Sequence, residues 1–224
     1  MLRNLPFIYL LYKKVQYIRL RRYNGLSNNG LLQSAPTTQL NRHPDIFKAL
    51  NDRFGDRKIR VLSFGCSTGE ECQSLSEYLP LAEIVGVDVN RKSIEKAQLN
   101  YSSESISFFH METSGLKKLG EFDLILAVSV LCRYPESNLV EDSSSLFPFD
   151  LYNDSVDKLS AVLKPNGFLF IRSSNYRFMD TAISKDYQVV NFKGQRQPER
   201  FPKFDSHNKK IKHHVEMEEL FQKD

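Results

Sequence analysis

From residue 59 to residue 173 the chain repeats one rhythm: an apolar run rich in β-branched and aromatic residues, then a stretch whose apolar positions recur at helical spacing. The runs are IRVLSFG (59–65), EIVGVDV (83–89), ISFFHM (106–111), FDLILAVSV (122–130) and GFLFIRS (167–173), and the helical stretches lie near 69–79, 91–100 and 151–163. A strand that is apolar without alternation is covered on both faces, so the rhythm predicts an α/β fold, an open and mostly parallel sheet with helices on both sides. LKPNG, Leu163 to Gly167, predicts the turn into the last of these strands, with Pro165 ending the helix and Gly167 at positive φ. Further on, YQVVNF (187–192) and the weakly alternating IKHHVEM (211–217) predict a hairpin that finishes the sheet, its last strand antiparallel.

The first 42 residues follow another pattern. From Leu5 to about Arg22 the apolar stripe Phe7, Leu11, Val15 and Ile18, widened by Leu10, predicts a helix. NGLSNNG then breaks it, QSAPTTQLN reads as a linker, and HPDIFKALNDRF (43–54) predicts a short helix ahead of the first strand. The expected division is therefore a basic helix with its linker at 1–42 and one domain at 43–224. Charge supports it: residues 1–44 hold seven basic side chains and no acid, which leaves 24 basic against 27 acidic residues and a net charge of −3 in the remainder. The apolar LPFIYLLY is far short of the roughly 18 residues of a membrane span and lacks a small-residue cleavage site, so a cytoplasmic protein is expected. Three cysteines without C-x-x-C spacing fit free thiols. Lys14, Arg21 and Arg22 project near the stripe and Lys13 well round from it, a mixed arrangement. We expect the arm to pack on its own protein or a protein partner, with contact to an anionic membrane as the minority reading.

The candidate chemistry sits in VLSFGCSTGEE (61–71), at the turn where the first strand gives way to a helix. In open α/β sheets that is where ligands bind. Gly65 permits a sharp turn, and Gly69 lets a ligand approach the main chain. Asp88, ending the second strand, is placed to accept the hydroxyls of a ribose. A pyrophosphate turn needs G-x-G-x-x-G, whereas GCSTG sets its glycines four apart and follows them with Glu70 and Glu71, which repel a diphosphate. The same acids suit a ligand bearing an ammonium and a sulfonium, a description met by S-adenosylmethionine.

GCSTGEE resembles the first motif of the class I S-adenosylmethionine-dependent methyltransferases, a Rossmann-like family, and within it most closely the chemotaxis-type protein-glutamate methyltransferases, whose approach HPDIFKAL also resembles. VDVNRKSIEKA, FFHMETSGL, FDLILAVSVLCRYP and LKPNGFLFI are similar to the family's later motifs, so the resemblance runs from about Pro44 to Ser174. It implies that Gly65, Cys66, Ser67 and Gly69 lie along the methionine part of the cofactor, and that Glu70 or Glu71 meets its ammonium. It further implies that Asp88 holds the ribose with Val89 beside it, that Glu112 bonds the adenine amino group beside Met111, and that Ser129 completes the set. Core packing is the competing role for Met111. Where the chemotaxis enzymes carry Cys-Arg-Asn this chain has Ala127-Val128-Ser129, and their receptor-docking insertion has no counterpart, which argues against receptor glutamates as substrate.

Methyl transfer from such a cofactor is largely alignment, worth effective molarities of about 10⁵–10⁸ M. The end of the fourth strand, SVLCRYPE, is expected to place Ser129, Cys132, Arg133 and Tyr134 at the rim, with Tyr134 a donor or weak base and Arg133 a clamp for an acidic substrate. A buried thiol and a solvated face are the plainer readings of Cys132 and Arg133. The absence of [DNS]-P-P-[YF] and Pro-Cys stretches, with the net negative domain, argues against a nucleic-acid substrate. Glu141, Asp142, Asp150 and Asn153 read as a polar loop, and no metal is expected. Of the histidines, His110 reads as a satisfied strand-end residue, His213 and His214 as opposite faces of a strand, and His207 as part of a closing loop at most. The expectation is a methyltransferase acting on a small molecule or a protein side chain. The alternative is a binding protein that keeps the cofactor and docks a partner through its arm; a dehydrogenase is disfavoured by the glycine spacing.

Overall fold

The computed structural model describes residues 6–26, 31–33, 35, 37–191, 201–213 and 217–224, with side chains from residue 8 onward. Seven strands form one sheet in the order β3-β2-β1-β4-β5-β7-β6. They are β1 (Arg60–Phe64), β2 (Glu83–Asp88), β3 (Ile106–His110), β4 (Phe122–Val128), β5 (Leu163–Arg172), β6 (Tyr187–Val189) and β7 (Leu220–Lys223). β1 to β5 pair in parallel, and β7 runs antiparallel between β5 and β6. This is the expected Rossmann-like sheet, mostly parallel with its last strand antiparallel.

Two cores explain the unbroken apolar runs. Alternate residues of a strand point to opposite faces. Leu62, Val85, Ile125 and Leu169 meet Tyr152, Val156 and Leu159 of α5 (Phe149–Ser160) on one face. Val61, Ile84, Leu124 and Phe170 meet α2 (Pro44–Phe54), α3 (Glu70–Tyr78) and α4 (Arg91–Tyr101) on the other. Helix α1 (Pro6–Tyr23) precedes them all. Among the described residues no helix is long and apolar enough to cross a membrane.

Three local expectations are corrected. In LKPNG the left-handed residue is Asn166, at φ 59°, while Gly167 is bare for want of room, since a Cβ there would lie 2.8 Å from the Lys164 carbonyl oxygen. The closing hairpin pairs β6 with Leu220–Lys223 rather than with 211–217, where residues 211–213 form no strand and 214–216, His214 included, lie outside the described residues. Burial decides this: Leu220 and Phe221 each enter one of the two cores, whereas His213 is exposed. On α1 Leu11 and Val15 of the predicted stripe face outward, 53% and 42% exposed, while Leu10 and Ile18 are half-buried. The side chain of Phe7 lies outside the described residues.

Hydrogen bonding chose the other face of α1. Tyr17 Oη donates to the Leu31 carbonyl at 2.9 Å, Lys13 pairs with Glu136 at 3.0 Å, and buried Asn24 accepts from the Arg91 N–H at 2.8 Å, serving an orphan donor in the first turn of α4. The arm therefore packs on its own protein.

A buried ion triad ties the termini of the domain to the sheet. Arg172, at the end of β5, donates from Nε and Nη2 to Glu219 at 2.7 and 2.6 Å and from Nη1 to Asp45 of α2 at 2.9 Å. Removing the guanidinium leaves two partly buried carboxylates without a counter-ion. Arg172→Met should cost about 3 kcal/mol, the low end for breaking a buried pair because both acids keep some contact with water. A lowered urea midpoint at unchanged slope checks it; an unchanged midpoint would show that the triad contributes nothing.

Candidate functional site

The carboxyl ends of β1, β2 and β4 open into a concave pocket that encloses about 990 Å³ of space when the solvent at its mouth is included. Its floor is the turn after β1. Gly65 sits at φ 78°, and its N–H and that of Cys66 both reach the Val87 carbonyl, at 2.9 and 3.0 Å. A Cβ on Gly65 would stand 2.5 Å from Val130 Cγ2, so both its conformation and its bareness are required. Ser67 follows at φ 51°, its N–H donating to Asp88 Oδ2 at 2.9 Å, while Asn90 N–H donates to Asp88 Oδ1 at 2.7 Å. Burial raises the pKa of Asp88 against the pull of these bonds.

Of the two acids beyond the turn, Glu71 lines the cavity and Glu70 does not. Ser63 Oγ donates to Glu71 at 2.7 Å, and burial lifts its pKa to about 7. Glu70 accepts instead from Thr68 Oγ1 at 2.6 Å. Gly69, at φ 94°, heads α3, and a Cβ there would press on Tyr101, Ala97 and Phe108 at 2.9–3.0 Å; its bareness serves helix packing rather than the cavity lining.

Cys66, Ser67, Val89, Met111 and Ser129 all line the cavity, and Glu112 lies between the lining residues Met111 and Thr113. The Cys66 thiol is buried beside Cys72, which with burial raises its pKa. Ser129 takes φ 57°, and its buried Oγ has no partner among the described residues.

The two catalytic candidates lie elsewhere. Arg133 is 5% exposed, donates from Nη2 to the Leu31 carbonyl at 2.8 Å and holds its guanidinium 4.0 Å from the centre of the Tyr17 ring, so it fastens the arm to the end of β4 instead of facing an acceptor. Tyr134 packs edge-on against Phe201 at 4.8 Å. Neither lines the cavity. Cys132 is buried, its thiol pushed up to about 11 by burial. Asp142 and Glu141 pair with Lys209 and Lys210, His110 meets the Val89 carbonyl at 3.0 Å, and His207 lies outside the lining.

Sequence reasoning missed the far wall. The stretch taken for a linker supplies Gln33 and Thr37 to the lining, its flanks add Leu31, Leu32 and Arg42, and His43, read as the start of the short helix, joins them. His43 is 8% exposed, and neither ring nitrogen has a partner among the described residues. Burial, with Arg42 and Arg172 nearby, lowers its pKa to about 4 and keeps the ring neutral. No spacing in the sequence marks these residues; only the return of the chain from α1 to α2 brings them over the turn.

A family model described as a methyltransferase domain matches residues 56–220. The chain belongs to the methyltransferase domain family. A curated relative of this methyltransferase domain is the malonyl-[acyl-carrier protein] O-methyltransferase of Priestia megaterium, 26% identical over 137 residues, or 60% of this chain. The chain spans 44% of that relative's length. Among solved structures, the N-methyltransferase NodS from Bradyrhizobium japonicum WM9 shares the fold at TM-score 0.53 and 16% identity, over 81% of this chain and 94% of that one. The plantazolicin methyltransferase BpumL, solved in complex with SAH, gives TM-score 0.42 at 18% identity over 57% of this chain and 44% of its own.

Gly65 gives the sharpest local test of the turn beneath this cavity. Gly65→Ala should cost about 2–5 kcal/mol, the sum of a left-handed alanine and a Cβ driven into Val130. A variant as stable as the parent would show that the turn relaxes freely.

Proposed function

We propose that this domain binds S-adenosylmethionine in the cavity beyond β1 and transfers its methyl group to a small molecule or a protein side chain. The observation that supports this most is the charge placement in one lining: Glu71 and Arg42, a carboxylate and a guanidinium, with Asp88 at the end of β2. Opposite charges suit the ammonium and carboxylate of an amino-acid group, and Asp88 keeps oxygen lone pairs for ribose hydroxyls after serving Ser67 and Asn90. Gly65, Cys66 and Ser67 offer bare backbone alongside, with Gly69 and Glu70 shaping the turn from behind. Val89 and Met111 give an apolar wall for a purine, with Glu112 assigned to its amino group. Residues 43–224 are the methyltransferase domain in this reading, and the 1–42 arm closes its cavity.

When bound, the cofactor supplies a methyl group already activated on a sulfonium. The chain's own part is to align the acceptor. His43 and Ser129 offer buried polar atoms for that: the neutral imidazole accepts a hydrogen bond from an acceptor O–H or N–H, and the serine hydroxyl donates or accepts. With a pKa near 4, His43 holds a proton in place more readily than it removes it.

Calorimetry tests the cofactor: S-adenosylmethionine and its demethylated product should bind and NAD should not, and binding of NAD alone would sink the reading. Asp88→Ala should weaken cofactor binding roughly ten- to a hundredfold, from about 1.5–3 kcal/mol for a charge-assisted bond; unchanged affinity in a folded variant would remove Asp88 from the site.

Glu71 adds a pH signature. Its folded pKa of about 7 lies above the ordinary 4.5, so the folded state without ligand holds the proton more tightly and loses stability as pH rises between those values. A cationic ligand needs the ionised form. Affinity should therefore rise about tenfold between about pH 6 and about pH 8, as Glu71 passes from mostly protonated to mostly ionised. Glu71→Gln should flatten that dependence, and a profile identical to the parent's would place the ammonium elsewhere.

A further inference from the structure

Helix α1 spends one face on its own protein and leaves the opposite face open. Tyr17, Lys13 and Asn24 make the inner contacts. Ile8, Leu11, Tyr12 and Val15, spaced i, i+3, i+4 and i+7, form one outward stripe with exposures of 36, 53, 58 and 42%. Across a cleft bordered by Tyr9, Pro135 and Asn138, Leu139 extends the apolar surface at 42% exposure. The same outward line continues one and two turns on as Arg19 and Arg22, both exposed, with exposed Lys14 on its flank. Tyr23 ends the line, and Lys92 of α4 sits 5.3 Å from the centre of its ring, adding a further cation at that end.

We propose that this face docks the domain on an anionic lipid surface. Three features select lipid over a protein groove. The outward face carries apolar residues along its first half and cationic residues along its second, so both burial and attraction to anionic headgroups act on the side that meets the surface. The two exposed tyrosines carry an apolar body and a polar tip suited to the headgroup boundary. No acid occurs anywhere in residues 1–44, so the helix offers anionic headgroups no repulsion of its own. The structure also removes the main objection raised by the sequence pattern: Lys13, which spoiled the amphipathic arrangement, points inward and is paired with Glu136. The inner contacts fix α1 in place beforehand, so docking costs little ordering of the helix. The proposal stands apart from the cofactor assignment, because none of the outward residues lines the cavity beyond β1.

The test is co-sedimentation of the full chain with phosphatidylcholine vesicles, with and without phosphatidylserine. Binding should require phosphatidylserine and weaken as salt is raised. Lys14→Gln, Arg19→Gln and Arg22→Gln together should weaken it about a hundredfold, since each basic residue near such a surface contributes about fivefold. Leu11→Asp with Val15→Asp should weaken it similarly. Because these side chains are exposed, neither variant should shift the thermal midpoint or cofactor binding. Absence of vesicle binding at low salt, binding that neither variant alters, or self-association that Leu11→Asp with Val15→Asp abolishes would each overturn the proposal, the last by making a second copy of the chain the occupant.

Discussion

The Asp88 carboxylate is the constraint on which the site is built. One of its oxygens takes the Ser67 N–H from the glycine turn and the other takes the Asn90 N–H at the start of α4, so a single side chain fastens the end of β1 to the end of β2. Burial works against it, raising the pKa, and the two N–H bonds work for it. Without that anchor Ser67 would have little reason to stay left-handed, and the paired N–H groups of Gly65 and Cys66 on Val87 would carry the turn alone. The group proposed for the ribose is thus also the group that holds the floor in shape.

The second half of the cavity depends on the arm. Arg133 is buried with its charge spread over the Tyr17 ring and the Leu31 carbonyl, and Gln33 Nε2 donates to the Cys132 thiol at 3.2 Å. These contacts bring residues 31–33 and 37–43 over the turn, where His43 and Ser129 present polar atoms without partners among the described residues. Unpaired buried polar atoms are costly in a finished core and reasonable in a site that a ligand completes. The helix that anchors this wall through Tyr17 is the one whose outer face is left apolar and cationic.

The central strands were legible because both of their faces are buried, which leaves a continuous apolar run as their mark. Gly65 and Asp88 were legible because a left-handed turn and an acid-ended strand each restrict residue type. What escaped needed coordinates. Glu70 and Glu71 read alike along the chain, yet consecutive helix positions differ by about 100°, so only one lines the cavity. Asn166 took the conformation expected of Gly167, since asparagine tolerates it and the glycine was needed for space. Arg133 and Tyr134 follow a strand end as catalytic residues often do, but the arm and Phe201 claim them. His43 belongs to the site only through a chain reversal that no local spacing reports.

The central claim, that one cavity takes an S-adenosyl amino acid between Glu71 and Asp88, is tested most directly by a crystal structure with S-adenosylhomocysteine. The account predicts its ammonium within hydrogen-bond reach of Glu71 and its ribose hydroxyls at Asp88, under the wall that runs from Leu31 and Leu32 to Arg42 and His43. Density for the ligand outside this cavity, or inside it with both carboxylates out of reach, would contradict the account.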